Sequence, residues 1–540
     1  MSKCVVMLVI LMVLTMMAIG GPAFGDTLLV PGEFATIQGC IDAASEGDEC
    51  VVAPGNYQEN IDFLGKGITV RSEAGPASTV IEGGASGSTV LFQSGEPLSA
   101  RLIGLTISNG SGTEVELPVG EVKTLGGGIL CIDGSSPFIQ DNVIVGNAAD
   151  VGAGISCFSS SPFIDHNHIR SNTANDVGGG IDIFDSEAQV TFNTLFDNFA
   201  WNQGAGISVA NSSPFIASNV ITLNTDPFGK CAGIYVLTSS GTIRDKNLVT
   251  LNGGNGISLL YSDTEVTGNV INGNNANQAG GGLFLSHSDS LVALNEIFNN
   301  TAAAGGGGIA CGTSNAVIVG NQIKENVSQA SGGGIACYSS SPTIANNTFF
   351  MNVSNPSLFG GGIFLSFESS PLITNNIVAH SPVGDGIHCT GDSWPVITFN
   401  DVYGNDGEYG GDCADQTGVN GNISAEPLIH TDGYHLLPDS PCIDVGDNTA
   451  PSMTAADWEG DVRVIDGDDN GSDVVDMGAD EFDACDLDYD GYDHEACGGD
   501  DCDDENGEVH PGHDEVPDNG VDDDCDGEVD EGGCFVGVVR

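Results

Sequence analysis

GGGILC (126–131), GAGISC (152–157), GGGIDI (178–183) and GAGISV (204–209) start 26 residues apart, and the block returns as GGGLFL (280–285), GGGIAC (332–337) and GGGIFL (360–365). The first apolar residue after the glycines forms a column: Ile129, Ile155, Ile181, Ile207, Ile234, Ile257, Leu283, Ile309, Ile335, Ile363 and Ile387. A repeat of this length marks a stacked architecture and decides the fold before any other feature is read.

Outward from each block lies a Ser-Pro turn, as at Ser136, Ser161, Ser213 and Ser341, and then an Asn followed by aliphatic residues. That Asn recurs at 142, 167, 193, 219, 247, 269, 295, 321, 347, 375 and 400. A second column follows five positions later, from Asn147 to Asn405, interrupted only by His380. The apolar runs alternate with period two, are too short for helices, and are closed by Gly, Asn or Ser-Pro. Three short strands per unit follow. One such unit cannot bury its own apolar side, but coils stacked at a strand spacing of about 4.8 Å share one interior.

The recurrent residues therefore have structural roles. Asn tolerates left-handed backbone, and its amide can bond to the equivalent residue on the next coil, so both Asn columns predict ladders. Cys131 with Cys157, and Cys311 with Cys337, occupy one inward slot on successive coils, where buried thiols used as small apolar fillers are favoured over a disulfide. Cys40 and Cys50 are the favoured bridge, flanking the turn between an amphipathic segment (37–44) and a strand from Val51.

These features resemble the pectin-lyase-like superfamily of right-handed parallel β-helix proteins, over about residues 27–426. The expected fold is all-β: a single-stranded right-handed parallel β-helix with a small, irregular, acidic C-terminal module. The stretch TIQGCIDAASEGDECVVAPGNYQENIDF (36–63) resembles that group's N-terminal cap and first coil. The expected organisation is a leader over 1–25, the β-helix over 26–426 (cap about 34–63, regular coils about 126–410), a capping segment over 427–482 and an Asp-rich module over 483–540.

Many members of the superfamily cut acidic polysaccharides. The resemblance brings no complete catalytic set: the coils carry no Asp-Asp pair, Gly-His-Gly or Arg-Ile-Lys of the family hydrolases, and no Gln-Asp-Thr of the esterases. The nearest polar cluster is Asp165, His166, His168, Arg170, Asp182 and Asp185. Asp165, Arg170 and Asp182 are its candidate catalytic groups, set against the simpler reading of a solvated outer face. Outward slots hold Phe196, Phe298, Phe350 and Tyr403, and also Tyr235, Phe284 and Phe364, which either stack on sugar rings or lie under loops.

Composition narrows the partners. Asp and Glu total 75 against 12 Lys plus Arg, a formal charge of −63, so nucleic acid and anionic membranes are repelled and cations attracted. Lys3, the apolar run 5–19 and Ala23-Phe24-Gly25 fit a cleavable export signal, and no second run is long enough to span a bilayer. Placement outside the cell or on its surface follows, with no membrane insertion after cleavage. Removing Cys4 from the 16 cysteines leaves an odd number, so at least one thiol is free or pairs between chains.

Past Asn420 the repeat fades. The segment from Tyr434 to Phe482 resembles the one that often ends bacterial β-helix proteins, and is expected to cap the last coil. Within it Asp466, Asp468 and Asn470 precede Gly471 as a weak EF-hand-like start, with Met477 where an acidic twelfth residue belongs. From Asp483 the chain resembles the metal-binding motif of bacterial surface proteins, with the Asp spacing of thrombospondin type 3 repeats. Asp486, Asp488, Asp490 and Gly491, then Tyr492, give one D-x-D-x-D-G loop. Asp522, Asp524, Asp526 and Gly527, then Glu528 and Asp530, give another. Asp500, Asp501, Asp503 and Asp504 can close either shell. Carboxylate oxygens suit Ca²⁺, while His494, His510 and His513 keep a softer metal in play. Cys485, Cys497, Cys502, Cys525 and Cys534 are expected to be partly disulfide-bonded. The function expected is a non-catalytic rod that binds calcium and presents a surface to glycans or cell-surface components. The alternatives are an atypical polysaccharide lyase or hydrolase and a passive envelope element.

Overall fold

The computed structural model describes residues 25–529 apart from 118–119, 357–358, 468–469, 487–491, 493–498, 504–505, 514 and 517–518. The expected leader lies outside them, Gly25 excepted. The chain winds into an all-β, right-handed parallel solenoid of about 15 turns. Each regular coil gives one strand to each of three long sheets: Ile129–Cys131 to sheet I, Phe138–Gln140 to sheet II and Val143–Val145 to sheet III. The sheets hold 14, 15 and 14 strands.

Strand register reproduces the apolar column. Ile129 pairs with Ile155, Ile155 with Ile181, and the series runs through Ile335 and Ile363 to Ile387. Ile129, Ile139 and Ile144 face inward from the three strands of one coil and are fully buried. One continuous core results, from Val30 to Val402. Each such Ile contributes roughly 1.5–3 kcal/mol by leaving water. Cys131 with Cys157 and Cys311 with Cys337 pair in register as buried free thiols, as the sequence predicts.

Glycine lets sheet I begin close to the next coil. A Cβ on Gly180 would lie 2.5 Å from the Gly206 carbonyl oxygen, and Gly178, at φ 69°, would place one 2.7 Å from the Asp182 Cβ. A side chain at Gly180 would push the coils apart, and one at Gly178 would collide within its own turn at a backbone angle that favours glycine.

Both Asn ladders form, with three corrections. Asn142 donates from its backbone N–H (3.0 Å) and from Nδ2 (3.1 Å) to Asn167 Oδ1, and Nδ2 also reaches the Leu102 carbonyl. The left-handed residue is the one before the ladder Asn, such as Asp141, His166 or Phe192, because the Asn must keep its amide turned inward. The column also passes through Asn376 rather than Asn375, and continues to Asn422. In the second column the interrupting residue is Ser381, whose N–H donates to Asn405 Oδ1 at 3.0 Å, whereas His380 turns outward to Glu426. At the Ser-Pro corner a third ladder appears that the turn signal alone did not reveal. The Ser160 N–H donates to Ser186 Oγ, Ser186 to Ser212, and the pattern recurs up to Ser369 and Ser393.

The N-terminal end is covered by the helix Ile37–Ala43, with Thr36 Oγ1 accepting from the Gly39 N–H and Ile37, Cys40 and Ile41 buried. The expected Cys40–Cys50 bridge is formed, and Cys389–Cys413 is bridged near the last coil. Segment 427–482, expected to cap the last coil, packs against the outer face of sheet III. Leu436, Cys442, Ile443, Met477 and Phe482 lie on Ile377, Ala379 and Phe350. Asn375, freed from the ladder, exchanges hydrogen bonds with Asp447.

Candidate functional site

A cleft of about 520 Å³ lies on the outer face of sheet I. Its wall is an extra sheet grown from the connections into sheet I: Thr113–Glu116, Val122–Leu125, Ala148–Val151, Thr173–Val177 and Phe199–Ala200. Alternation along Ile155–Phe158 and Ile181–Phe184 turns Phe158 and Phe184 outward in register. Their rings stack with centroids 5.2 Å apart and planes 6° apart. Tyr235, Lys123 and Lys230 complete the lining with Asp182 and Asp176. Lys123 Nζ holds Asp176 at 2.6 Å, and Lys230 Nζ lies over the Phe228 ring at 5.2 Å.

Asp182 is 4% exposed. Burial pushes its carboxyl up to about 7, against the opposing effect of a hydrogen bond with Ser208. Burial also raises the Tyr235 phenol to about 12. The floor of the cleft thus has a flat aromatic seat beside a carboxyl able to hold or release a proton at neutral pH.

Asp165, Arg170 and Asp182, grouped in the sequence as catalytic candidates, are not brought together. Asp165 stands on sheet II, Arg170 on sheet III and Asp182 on sheet I, because the coil turns a corner between each pair. Asp165 accepts from Thr191 Oγ1 at 2.7 Å and bonds His166, a local corner arrangement. Arg170 lies over Phe196. The sequence Asn224-Thr225-Asp226 is structural: Asn224 belongs to the second ladder, and Asp226 caps a tight turn by accepting from the Phe228 and Lys230 N–H groups.

The outward aromatic columns are mostly covered. Tyr235 and Phe364 are buried, Phe350 lies under the C-terminal segment, and Phe196, Phe284, Phe298 and Tyr403 are half-buried. The sequence offered a usable signal for the aromatic seat, since Phe158 and Phe184 both stand three residues after an inward Ile. No signal pointed to Lys123 or Asp176, which lie outside the repeated block.

In the acidic module, Asp522 Oδ1 and Oδ2 accept from the Asp526 and Gly527 N–H groups, and Asp526 Oδ1 from the Glu528 N–H. This folds the second D-x-D-x-D-G loop so that Asp522 and Asp524 converge. Glu515, missed in the sequence, offers a third carboxylate, and the three ligand oxygens lie within 4.8 Å of one another. An all-oxygen set of this kind fits a hard cation. Glu515 Oε1 also accepts from the Asp523 and Asp524 N–H groups, which ties it to the loop.

Asp501 is buried beside the Cys502–Cys525 bridge; its Oδ1 accepts from the Asp503 N–H, and its Oδ2 has no hydrogen-bond partner among the described residues. The two cysteines, being bonded to each other, offer no thiolate to a metal. In the first loop Asp486 is buried and Tyr492 stacks on His510 at 4.9 Å, while Asp488, Asp490 and Gly491 lie outside the described residues, as do Asp504, Asp530, Cys497 and Cys534. Asp500 and Asp503 are described, and neither belongs to the Glu515 group. At the weaker motif the Asp466 carboxylate accepts from the Asn470 and Gly471 N–H groups, with Asp468 outside the description.

Fold and site together define a β-helix protein that carries an acidic metal-binding module. The chain belongs to the right handed beta helix region family, which it matches over residues 59–226 and 206–376. Residues 501–531 match a second family, described as "Putative metal-binding motif". No curated protein matches the chain. Among solved structures, pectate lyase Pel9A is 14% identical, with a TM-score of 0.31, covering 85% of this chain and 96% of its own. The A-module of the Azotobacter vinelandii mannuronan C-5 epimerase AlgE6 is 12% identical, with a TM-score of 0.33, covering 72% and 94%. The receptor binding domain of the Siphovirus 9NA tailspike is 10% identical, with a TM-score of 0.22, covering 75% and 78%. Among the described residues no helix is long and apolar enough to cross a membrane.

Proposed function

We propose that this protein is an exported rod that binds glycans in the cleft over sheet I and takes up calcium through its C-terminal Asp loops. The observation that carries the reading is the stacked Phe158–Phe184 pair beside Lys123, Lys230 and Asp182. Aromatic faces pack on the apolar faces of sugar rings; Lys123 is held by Asp176, which leaves Lys230 as the cation that an acidic saccharide would meet in the cleft. The Asp522 loop supplies the hard-oxygen set that calcium takes. The negative charge argues against nucleic acid, and the export-type pattern of residues 3–25 supports a location outside the cell or on its surface.

A glycan array probed with the full chain, with and without calcium, tests the reading. Retention of uronic-acid-rich glycans by the wild type and loss in Phe184→Ala supports it. Silence across the array, with the protein folded, removes it in favour of a passive envelope element. One observation favours an enzymatic variant: a carboxyl held near 7 is suited to proton transfer. Release of unsaturated or reducing ends from the bound glycan, abolished in Asp182→Asn while binding persists, would establish it.

A further inference from the structure

The C-terminal segment carries a second constellation, apart from both the cleft and the Asp loops. Residues 429–436 form a tight hairpin, closed by the Ile429–Leu436 bridge and by the His430 N–H to the His435 carbonyl at 2.8 Å. Two imidazoles converge inside it on one carboxylate oxygen: His430 Nδ1 lies 2.8 Å and His435 Nδ1 2.7 Å from Asp432 Oδ2. The other oxygen, Oδ1, accepts from the Tyr434 and His435 N–H groups, which fixes the carboxylate plane. The hairpin is anchored to the rod by Lys324 Nζ, which donates to the Asp432 carbonyl at 2.9 Å.

We propose that His430, Asp432 and His435 bind one divalent cation of the zinc class through both Nδ1 atoms and the carboxylate. Two imidazoles and one carboxylate form a borderline-soft donor set, unlike the all-oxygen set of the acidic module. Metal-bound imidazoles characteristically give their other ring N–H to a carboxylate, and His435 Nε2 faces Glu459 Oε1 at 3.7 Å. The bound ion would clamp the C-terminal segment near the point where Lys324 anchors it. The inference is independent of the glycan reading.

Chelator-stripped full-length protein is dialysed against Zn²⁺ in excess Ca²⁺, which occupies the hard-oxygen sites, and its zinc content is measured by plasma emission. The expected result is one zinc fewer in the H430Q/H435Q variant than in the wild type, and no change in that difference when D522N/D524N is the background. Cobalt in place of zinc should give visible ligand-field bands of a mixed nitrogen and oxygen site, absent from H430Q/H435Q. Glu459→Gln should weaken zinc by about 10–100-fold. Equal zinc content in the wild type and H430Q/H435Q, with both melting alike when metal-free, would overturn the proposal. A cobalt spectrum unchanged by the substitutions would do so too.

Discussion

Phe158 and Phe184 lie ring over ring on consecutive coils of sheet I, 5.2 Å between centroids. Strand stacking creates this seat without a special loop: an aromatic in the same outward slot of two adjacent coils must stack, because the coils are one strand spacing apart. The extra sheet then encloses the seat on one side, and Asp182, two residues before Phe184, lies at its floor.

Truncating one ring halves the seat and leaves the interior untouched, since neither Phe belongs to the inward column. An aromatic contact contributes about 0.5–1.5 kcal/mol beyond its buried area. Phe184→Ala should therefore weaken binding of the best array glycan by about tenfold, read by calorimetry, with the fold kept and only the small loss of stability expected from the missing Phe158–Phe184 stack. Unaltered affinity would place the binding surface elsewhere.

Asp182 couples the cleft to pH. Its folded-state value of about 7 lies above the ordinary carboxyl value of 3.8, so the unfolded chain loses this proton first. Stability from this group is complete below pH 4 and declines as pH rises toward 7, by on the order of 4 kcal/mol in total. Asp182→Asn removes the dependence. The stability difference between variant and wild type should grow in the variant's favour from pH 4 to pH 7.5 in parallel denaturant titrations. A constant difference would mean that the carboxyl is ionised throughout.

Asn321 links three coils: its Oδ1 accepts from Asn295 Nδ2 at 3.0 Å, and its Nδ2 donates to Asn347 Oδ1 at 2.9 Å and to the Val292 carbonyl. Alanine there strands buried donors and acceptors at about 1–3 kcal/mol for each group left unpaired. Asn321→Ala should accordingly cost more stability than Asn375→Ala, which loses two hydrogen bonds with Asp447 and places alanine at a positive φ but leaves the ladder intact. Hydrogen exchange should localise the first effect to coils 295–347 and the second to the segment after 427.

Much of this was legible because the period repeats each structural solution on every coil. The inward Ile column followed from spacing and alternation, the cap from the resemblance of residues 36–63 to the N-terminal cap of β-helix proteins, and the Cys40–Cys50 bridge from the turn that the two cysteines flank. At Asn375-Asn376 spacing was ambiguous, since either Asn keeps the interval; only the requirement that Ile377 and Val378 alternate outward and inward selects Asn376. Asp165, Arg170 and Asp182 are close in sequence, but a coil with three corners sends neighbours to different faces. The wall that turns sheet I into a cleft lies outside the repeated block, so no periodicity announces it.

The acidic module follows different physics, because its residues cannot form an apolar core of this kind. Glu515, Asp522 and Asp524 bring three carboxylates within 4.8 Å, an arrangement that repels itself until a cation neutralises it. Calcium that binds only the folded loop stabilises it by about 2.7 kcal/mol at a concentration one hundred times its dissociation constant. Protease added to the full chain should therefore cut after residue 483 much faster in chelator than in millimolar calcium, while the coils remain intact in both. D522N/D524N should be cut quickly in either condition, because removing two charges relieves the repulsion but also removes the ligands that make calcium binding tight. If calcium protects the variant as well as the wild type, the ion is held elsewhere in the module and the Glu515 group is a folding contact only.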